Sequence, residues 1–192
     1  MTTRASKGRG VIWMRRIANV GFGIAALYFV YLVAILLISL KVNSEFEGQP
    51  LGDVAIEMVS APGKVIAVES ALAKENLVAA VGAERQAVVL WATWCGPCHS
   101  LLMDLKSEVA AGRLRPETVL AVSVAEPYKD VAAYLGETSL PFRTALDREG
   151  SLARRMKLRG TPTVVFLNAN GVIEKVSTGG LGLSGKILDF VK

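Results

Sequence analysis

The chain has 192 residues, 22 Lys+Arg against 17 Asp+Glu, one histidine and a formal net charge of +5. The sign suggests a nucleic-acid binder, but the distribution excludes one. Arg4, Lys7, Arg9, Arg15 and Arg16 account for the excess, and from Lys41 onward 22 − 5 = 17 basic residues face 17 acidic ones.

The basic residues 1–16 precede 24 uncharged residues, Ile17 to Leu40. A bilayer core needs roughly 20 apolar residues of helix, so residues 17–40 are predicted to form a single transmembrane helix. The positive-inside rule then keeps residues 1–16 cytoplasmic and exports everything after Lys41. A cleaved signal peptide competes, but its apolar region spans only about 7–15 residues and ends in small residues of the Ala-x-Ala kind. This run is longer and ends Ser39-Leu40-Lys41-Val42. Arg15-Arg16 lacks the apolar consensus expected of a twin-arginine signal.

Residues 41–52, with Gly48, Pro50 and Gly52, read as a polar tether. The remaining residues, 53–192, suit one ordinary domain that buries its core without extra staples. Residues 55–59 and 65–68 flank Ala61-Pro62-Gly63-Lys64 and predict a β-hairpin. Ser70 is placed to cap a helix over 71–81 that Gly82 stops. Residues 87–91 are a continuous apolar run, as a buried strand of a parallel sheet requires.

That strand leads into Trp94-Cys95-Gly96-Pro97-Cys98-His99, which holds both cysteines of the chain. Two thiols at this spacing, where a strand feeds a helix, can close and reopen a small disulfide ring. Unpaired N–H groups at the helix N-terminus stabilise a thiolate on the first sulfur. The pattern reads as a redox motif. A helix follows over 97–111, with Leu101, Leu102, Leu105 and Val109 on one face and Pro97 suited to its first turn. Next come a buried strand over 119–124, a helix over 129–135, a short helix over 151–157 and a strand over 163–167. Asn170-Gly171 turns into a partner strand at 172–176, and a helix over 184–191 closes the chain. Arg154, Arg155, Lys157 and Arg159 read as a solvated face, with a docking patch for an acidic partner as the alternative.

The order βαβα, then a hairpin and a helix, is that of the thioredoxin fold, a central mixed sheet flanked by helices. Val89 to Cys98 resembles the thioredoxin active-site strand and loop. Gly160-Thr161-Pro162-Thr163, with Pro162 64 residues beyond Cys98, resembles the cis-proline loop of that fold. Leu146 to Ala153 resembles the extra segment of the membrane-anchored TlpA/ResA-like branch. The resemblance implies a thiol–disulfide oxidoreductase of the bacterial inner membrane, its catalytic domain periplasmic, with no cofactor and no metal. It implies that Cys95 is the nucleophile and Cys98 the resolving thiol. Gly96 and Pro97 set the turn, Trp94 covers the disulfide, and Thr161 and Pro162 receive an extended substrate. Its partners would be exported proteins with disulfides, such as apocytochrome c, and a membrane thiol-transfer electron donor. The chain departs from thioredoxins at Val89, where a buried acid usually stands. His99, Glu57, Glu69 or water would then carry the proton of Cys98.

Other readings remain. Cys95 to His99 is literally Cys-x-x-Cys-His, the c-type haem attachment signature, with Met103 or Met156 as a second ligand. Zinc would lack a fourth ligand, and a purely structural bridge closing two residues would constrain little chain. Within redox chemistry, Gly96-Pro97 favours a reductase over a disulfide-forming oxidase or isomerase. A thioredoxin-fold assembly factor with dispensable cysteines is the non-catalytic alternative.

Overall fold

The computed structural model describes residues 23–35, 45–52, 54–59, 73–76, 84–179 and 181–192. The chain divides into two units, Met1–Val42 and Asn43–Lys192. In the first, residues 23–35 are helical, with Leu27, Tyr28, Phe29 and Tyr31 exposed. Among the described residues no helix is long and apolar enough to cross a membrane. The rest of the predicted span, residues 17–22 and 36–40, lies outside them, as does the basic stretch 1–16.

The second unit is built on one sheet. Its strands are β1 (Ala55–Val59), β2 (Ala73–Asn76), β3 (Gln86–Trp91), β4 (Val119–Val124), β5 (Arg143–Asp147), β6 (Thr163–Leu167) and β7 (Ile173–Thr178). Its helices are α1 (Gly96–Ala110), α2 (Tyr128–Thr138), α3 (Ser151–Arg155) and α4 (Leu183–Val191). The strand order is β2-β1-β5-β4-β3-β6-β7. Strands β3, β4 and β5 run parallel, and the others pair antiparallel. This mixed sheet with helices on both faces is the predicted thioredoxin-like architecture.

Alternation along β3 divides the core in two. Ala87, Val89 and Trp91 join Leu101, Leu102 and Leu105 of α1, Val131 and Leu135 of α2, and Leu183, Ile187 and Val191 of α4. Val88 and Leu90 join Leu120, Val122, Leu152 and Met156 on the opposite face. Because both faces are covered, β3 and β4 are buried at every residue, which is why they read as unbroken apolar runs.

Two expectations need correction. The helix predicted over 71–81 is not formed at 73–76, which is strand β2, paired with β1 in the register Ala55↔Asn76 to Met58↔Ala73. Helix propensity is a weak local preference, and the unpaired outer edge of β1 gives these residues backbone partners that outweigh it. The hairpin partner expected at 65–68, its turn at 61–64 and the Ser70 cap lie outside the described residues. Strand β5 was not anticipated. Arg143-Thr144-Ala145-Leu146-Asp147 has polar ends and little strand propensity, yet it sits between β1 and β4 and is buried from Thr144 to Asp147. Asp147 is satisfied there by Ser151 Oγ and the Ala153 N–H, both at 2.9 Å, which fixes α3.

Within the stretch read as a tether, Gly48 N donates to Ile173 O (2.7 Å) and Leu51 N to Gly171 O (3.1 Å). Leu51 is 1% exposed and packs with Val54 and Ile56. Leu51→Ala is therefore expected to cost roughly 2–5 kcal/mol, a buried leucine truncated to a cavity. Urea unfolding of the full chain measures it, and a loss below about 1 kcal/mol would mean that these residues are not part of the core.

Candidate active site

Strand β3 ends at Trp91, and after four intervening residues α1 begins at Gly96. Ala92 to Cys95 form the turn between them, closed by Cys95 N donating to Ala92 O at 3.1 Å. Cys95 is the N-cap of α1, with an extended backbone and a sulfur that accepts the N–H of Cys98 at 3.3 Å. Its carbonyl accepts from Cys98 N (3.0 Å) and His99 N (3.2 Å). Pro97 falls in the first helical turn, where its missing N–H has no partner to lose. An atom added at the Cβ position of Gly96 would meet nothing within 4 Å, so the surface beside the cap is open.

Cys95 and Cys98 form a disulfide with Cα atoms 5.2 Å apart. Cys98 is fully buried, whereas Cys95 keeps 5% of its surface. Trp94 is 75% exposed, which rules out ordinary core packing for its ring. Thr161-Pro162 is a cis peptide, as expected. Strand β6 runs antiparallel to β3 with Thr163 opposite Leu90, so residues 161–162 and the Cys95 turn share one end of the sheet. Pro162 O accepts from Gly179 N (3.0 Å), and the Thr163 hydroxyl bonds Gly160 O (2.8 Å) and the Thr178 hydroxyl (2.9 Å), which pins that loop.

No acid stands at position 89, but a buried acid that sequence reasoning did not find sits beside the turn. Val89 is fully buried. Glu126 follows β4 and is 6% exposed. Its carboxylate accepts from Thr93 N at 3.1 and 2.9 Å, from Thr93 Oγ1 at 2.5 Å and from Ser123 Oγ at 2.6 Å. The signal that could have found it is position: an acid just beyond the C-terminal end of a parallel strand, where open α/β sheets place their sites. His99 Nε2 lies 2.6 Å from Thr93 O. A carbonyl only accepts, so this nitrogen carries the hydrogen. The His99 ring stacks on Tyr134 of α2 at 4.7 Å, and Tyr134 meets Trp91 at 5.0 Å. Burial pushes the Tyr134 phenol above its ordinary value.

The other residues weighed as proton carriers or ligands are elsewhere. Glu57 lies on β1, three strands from β3, in an ion pair with Arg148 at 3.1 Å. Glu69 lies outside the described residues. Met156 packs in the cluster on the opposite sheet face from the cysteines, and Met103 packs against the cysteine-bearing cluster. A haem ligand set drawn from His99 and Met156 would thus have to reach through the sheet. Among the described residues no group of His, Cys, Asp and Glu could hold a metal ion.

The sequence profile of the Redoxin family matches residues 52–184, which include the disulfide, Glu126 and the cis-proline loop. The chain belongs to the Redoxin family. Curated relatives include the thiol-disulfide oxidoreductase ResA of Geobacillus thermodenitrificans, 27% identical over 89 residues, 46% of this chain and 51% of that protein. The sporulation thiol-disulfide oxidoreductase A of Bacillus subtilis is 29% identical over 92 residues, 46% of this chain and 56% of its own length. The chain thus matches about half the length of each. Among solved structures, StoA from Bacillus subtilis superposes with a TM-score of 0.55 at 20% identity, covering 74% of this chain and all of that one (100%), which supports the fold.

The stacked Tyr134 generates a test of the packing. Its buried hydroxyl has no hydrogen-bond partner among the described residues. Tyr134→Phe removes that group and keeps the ring, so thermal unfolding should show a change between neutral and about 1–3 kcal/mol of added stability. A loss of stability would mean that the hydroxyl is satisfied.

Proposed function

We propose that this Redoxin-family chain is a membrane-tethered, extracytoplasmic thiol–disulfide oxidoreductase that reduces disulfides of exported proteins. The observation that carries the reading is the Cys95–Cys98 disulfide at the start of α1, with the Cys95 sulfur accepting an N–H of the first turn. In the reduced state the same N–H and the helix dipole favour a thiolate on Cys95. That thiolate attacks one sulfur of a substrate disulfide. A Cys95–substrate bond forms, and the second substrate sulfur leaves and takes up a proton. Cys98 then attacks Cys95, freeing the first substrate thiol and closing the disulfide seen here. Two electrons and two protons pass to the substrate, and a membrane thiol donor restores the dithiol.

Trp94 and Leu181 support a protein substrate. They are the exposed large apolar side chains among the described residues of this unit, at 75% and 98% exposure. Leu181 follows Gly179, whose N–H is bonded to Pro162, so both residues belong to loops at the disulfide end of the sheet. An extended apolar segment around a substrate cysteine suits that surface, with Thr161 and Pro162 offering backbone groups. Exported apocytochrome c, whose Cys-x-x-Cys-His site must be reduced before haem ligation, is the substrate class this reading favours. The membrane tether rests on the uncharged span 17–40 behind five basic residues.

The division of labour is tested by trapping. Cys98→Ser should accumulate mixed disulfides through Cys95, and Cys95→Ser should accumulate few. Equal trapping by both variants, or by neither, would overturn the nucleophile assignment. The direction of electron flow is tested by redox titration of the full chain. A potential near about −270 mV, as in thioredoxin, is expected rather than about −120 mV, as in DsbA. A value above roughly −180 mV would make the protein an oxidant or isomerase.

A further inference from the structure

We infer that Glu126 and His99 are positioning residues for Cys95, holding the two peptide groups of Thr93 between them and thereby keeping the sulfur in its helix-capping place. The inference rests on the thiol–disulfide exchange proposed above. Thr93 is two residues before Cys95, in the four-residue turn that carries the chain from β3 to α1. Every polar group of Thr93 is engaged by a side chain from outside the turn. Its N–H and hydroxyl donate to the Glu126 carboxylate, and its carbonyl accepts from the His99 ring. Glu126 is in turn fixed by Ser123, the last residue of β4 to pair with β3, opposite Trp91. His99 is fixed by its stack on Tyr134.

A buried carboxylate is costly unless it is well hydrogen-bonded, and this one accepts from the Thr93 N–H and hydroxyl of the turn and from Ser123 of β4. Among the described residues it makes no ion pair, so its partners are those of the turn and of β4. The histidine would be equally hard to explain as a solvated helix residue, because its N–H is aimed back over its own helix start. The two grips act on adjacent peptide groups, 92–93 and 93–94, and so fix the direction in which the chain enters Cys95. That direction decides whether the Cys95 sulfur meets the Cys98 N–H. Among the described residues, the titratable groups that contact the turn or its partners are Glu126, His99 and Tyr134, and Tyr128 of α2 packs against the same cysteine-bearing cluster.

The test uses the full chain, reduced, with the rate of Cys95 alkylation by iodoacetamide followed against pH and with thermal unfolding measured alongside. Glu126→Ala and His99→Ala should each slow alkylation near neutral pH about tenfold and move the midpoint of the profile upward, a loss comparable to that of one helix cap. Glu126→Gln, which keeps the acceptor for the Thr93 N–H, and His99→Gln, which keeps a donor for its carbonyl, should restore most of the rate. A purely structural role would lower the unfolding temperature of the alanine variants and leave the pH midpoint where it is; that result overturns the inference. Equal effects of Glu126→Gln and Glu126→Ala would overturn it too, because charge rather than position would be acting. Should Glu126→Ala not fold, His99→Ala on the half-buried helix face carries the test by the same readout. Wild-type chain that does not exchange disulfides with glutathione would refute the proposed function, whereas exchange with unchanged variants would refute the positioning alone.

Discussion

Cys95 is bound from behind by a strand and from ahead by a helix. Its N–H closes the turn onto Ala92, while its sulfur and carbonyl receive the first N–H groups of α1. Both demands meet in one residue, so the turn between Trp91 and Gly96 has almost no freedom. The rest of the domain can be understood as what makes that possible. Strand β3 must not move, and it is held by β4 on one side and β6 on the other, with every residue buried. Helix α1 must not slide, and Leu101, Leu102 and Leu105 lock it against the same strand.

The same arrangement gives the two sulfurs their different standing. Placing the first cysteine at the cap leaves part of it at the surface, and placing the second one helical turn inward buries it under the α1 and α4 cluster. Cys95 keeps 5% of its surface and Cys98 none, and the proposed two-step exchange rests on that difference. Beside them, the space at Gly96 is open and Trp94 is exposed.

His99 illustrates how a short motif can mislead. Cys-x-x-Cys-His is shared by haem-attachment sites and by this turn. What separates the two readings here is the direction of the imidazole, which is committed to the Thr93 carbonyl and to the face of Tyr134. Arg154 and Arg155 at the end of α3, with Lys157 and Arg159 beyond it, were read as a solvated face, and all four are exposed. Arg154 and Arg155 bond the backbone carbonyls of Glu149 and Leu51, and Lys157 pairs with Glu45. Arg155 and Lys157 thereby join this part of the chain to residues 45–51.

The sequence by itself determined the parts that depend on local chemistry and periodicity. The apolar runs of β3 and β4, the cysteine pair at a strand–helix junction, the heptad-like face of α1, the Asn170-Gly171 turn and the Thr161-Pro162 loop are each visible in a few adjacent residues. Only the tertiary structure decided the features in which distant segments meet. Strand β2 replaced a plausible helix because β1 had an edge to satisfy, and β5 formed from a weak strand sequence because β1 and β4 both required a neighbour. Glu126 became part of the site because parallel pairing brings the end of β4 beside the end of β3, 33 residues away from Thr93. A hydrogen bond between such positions leaves no periodic trace in the chain, since its energy depends on a distance that exists only after the sheet has assembled.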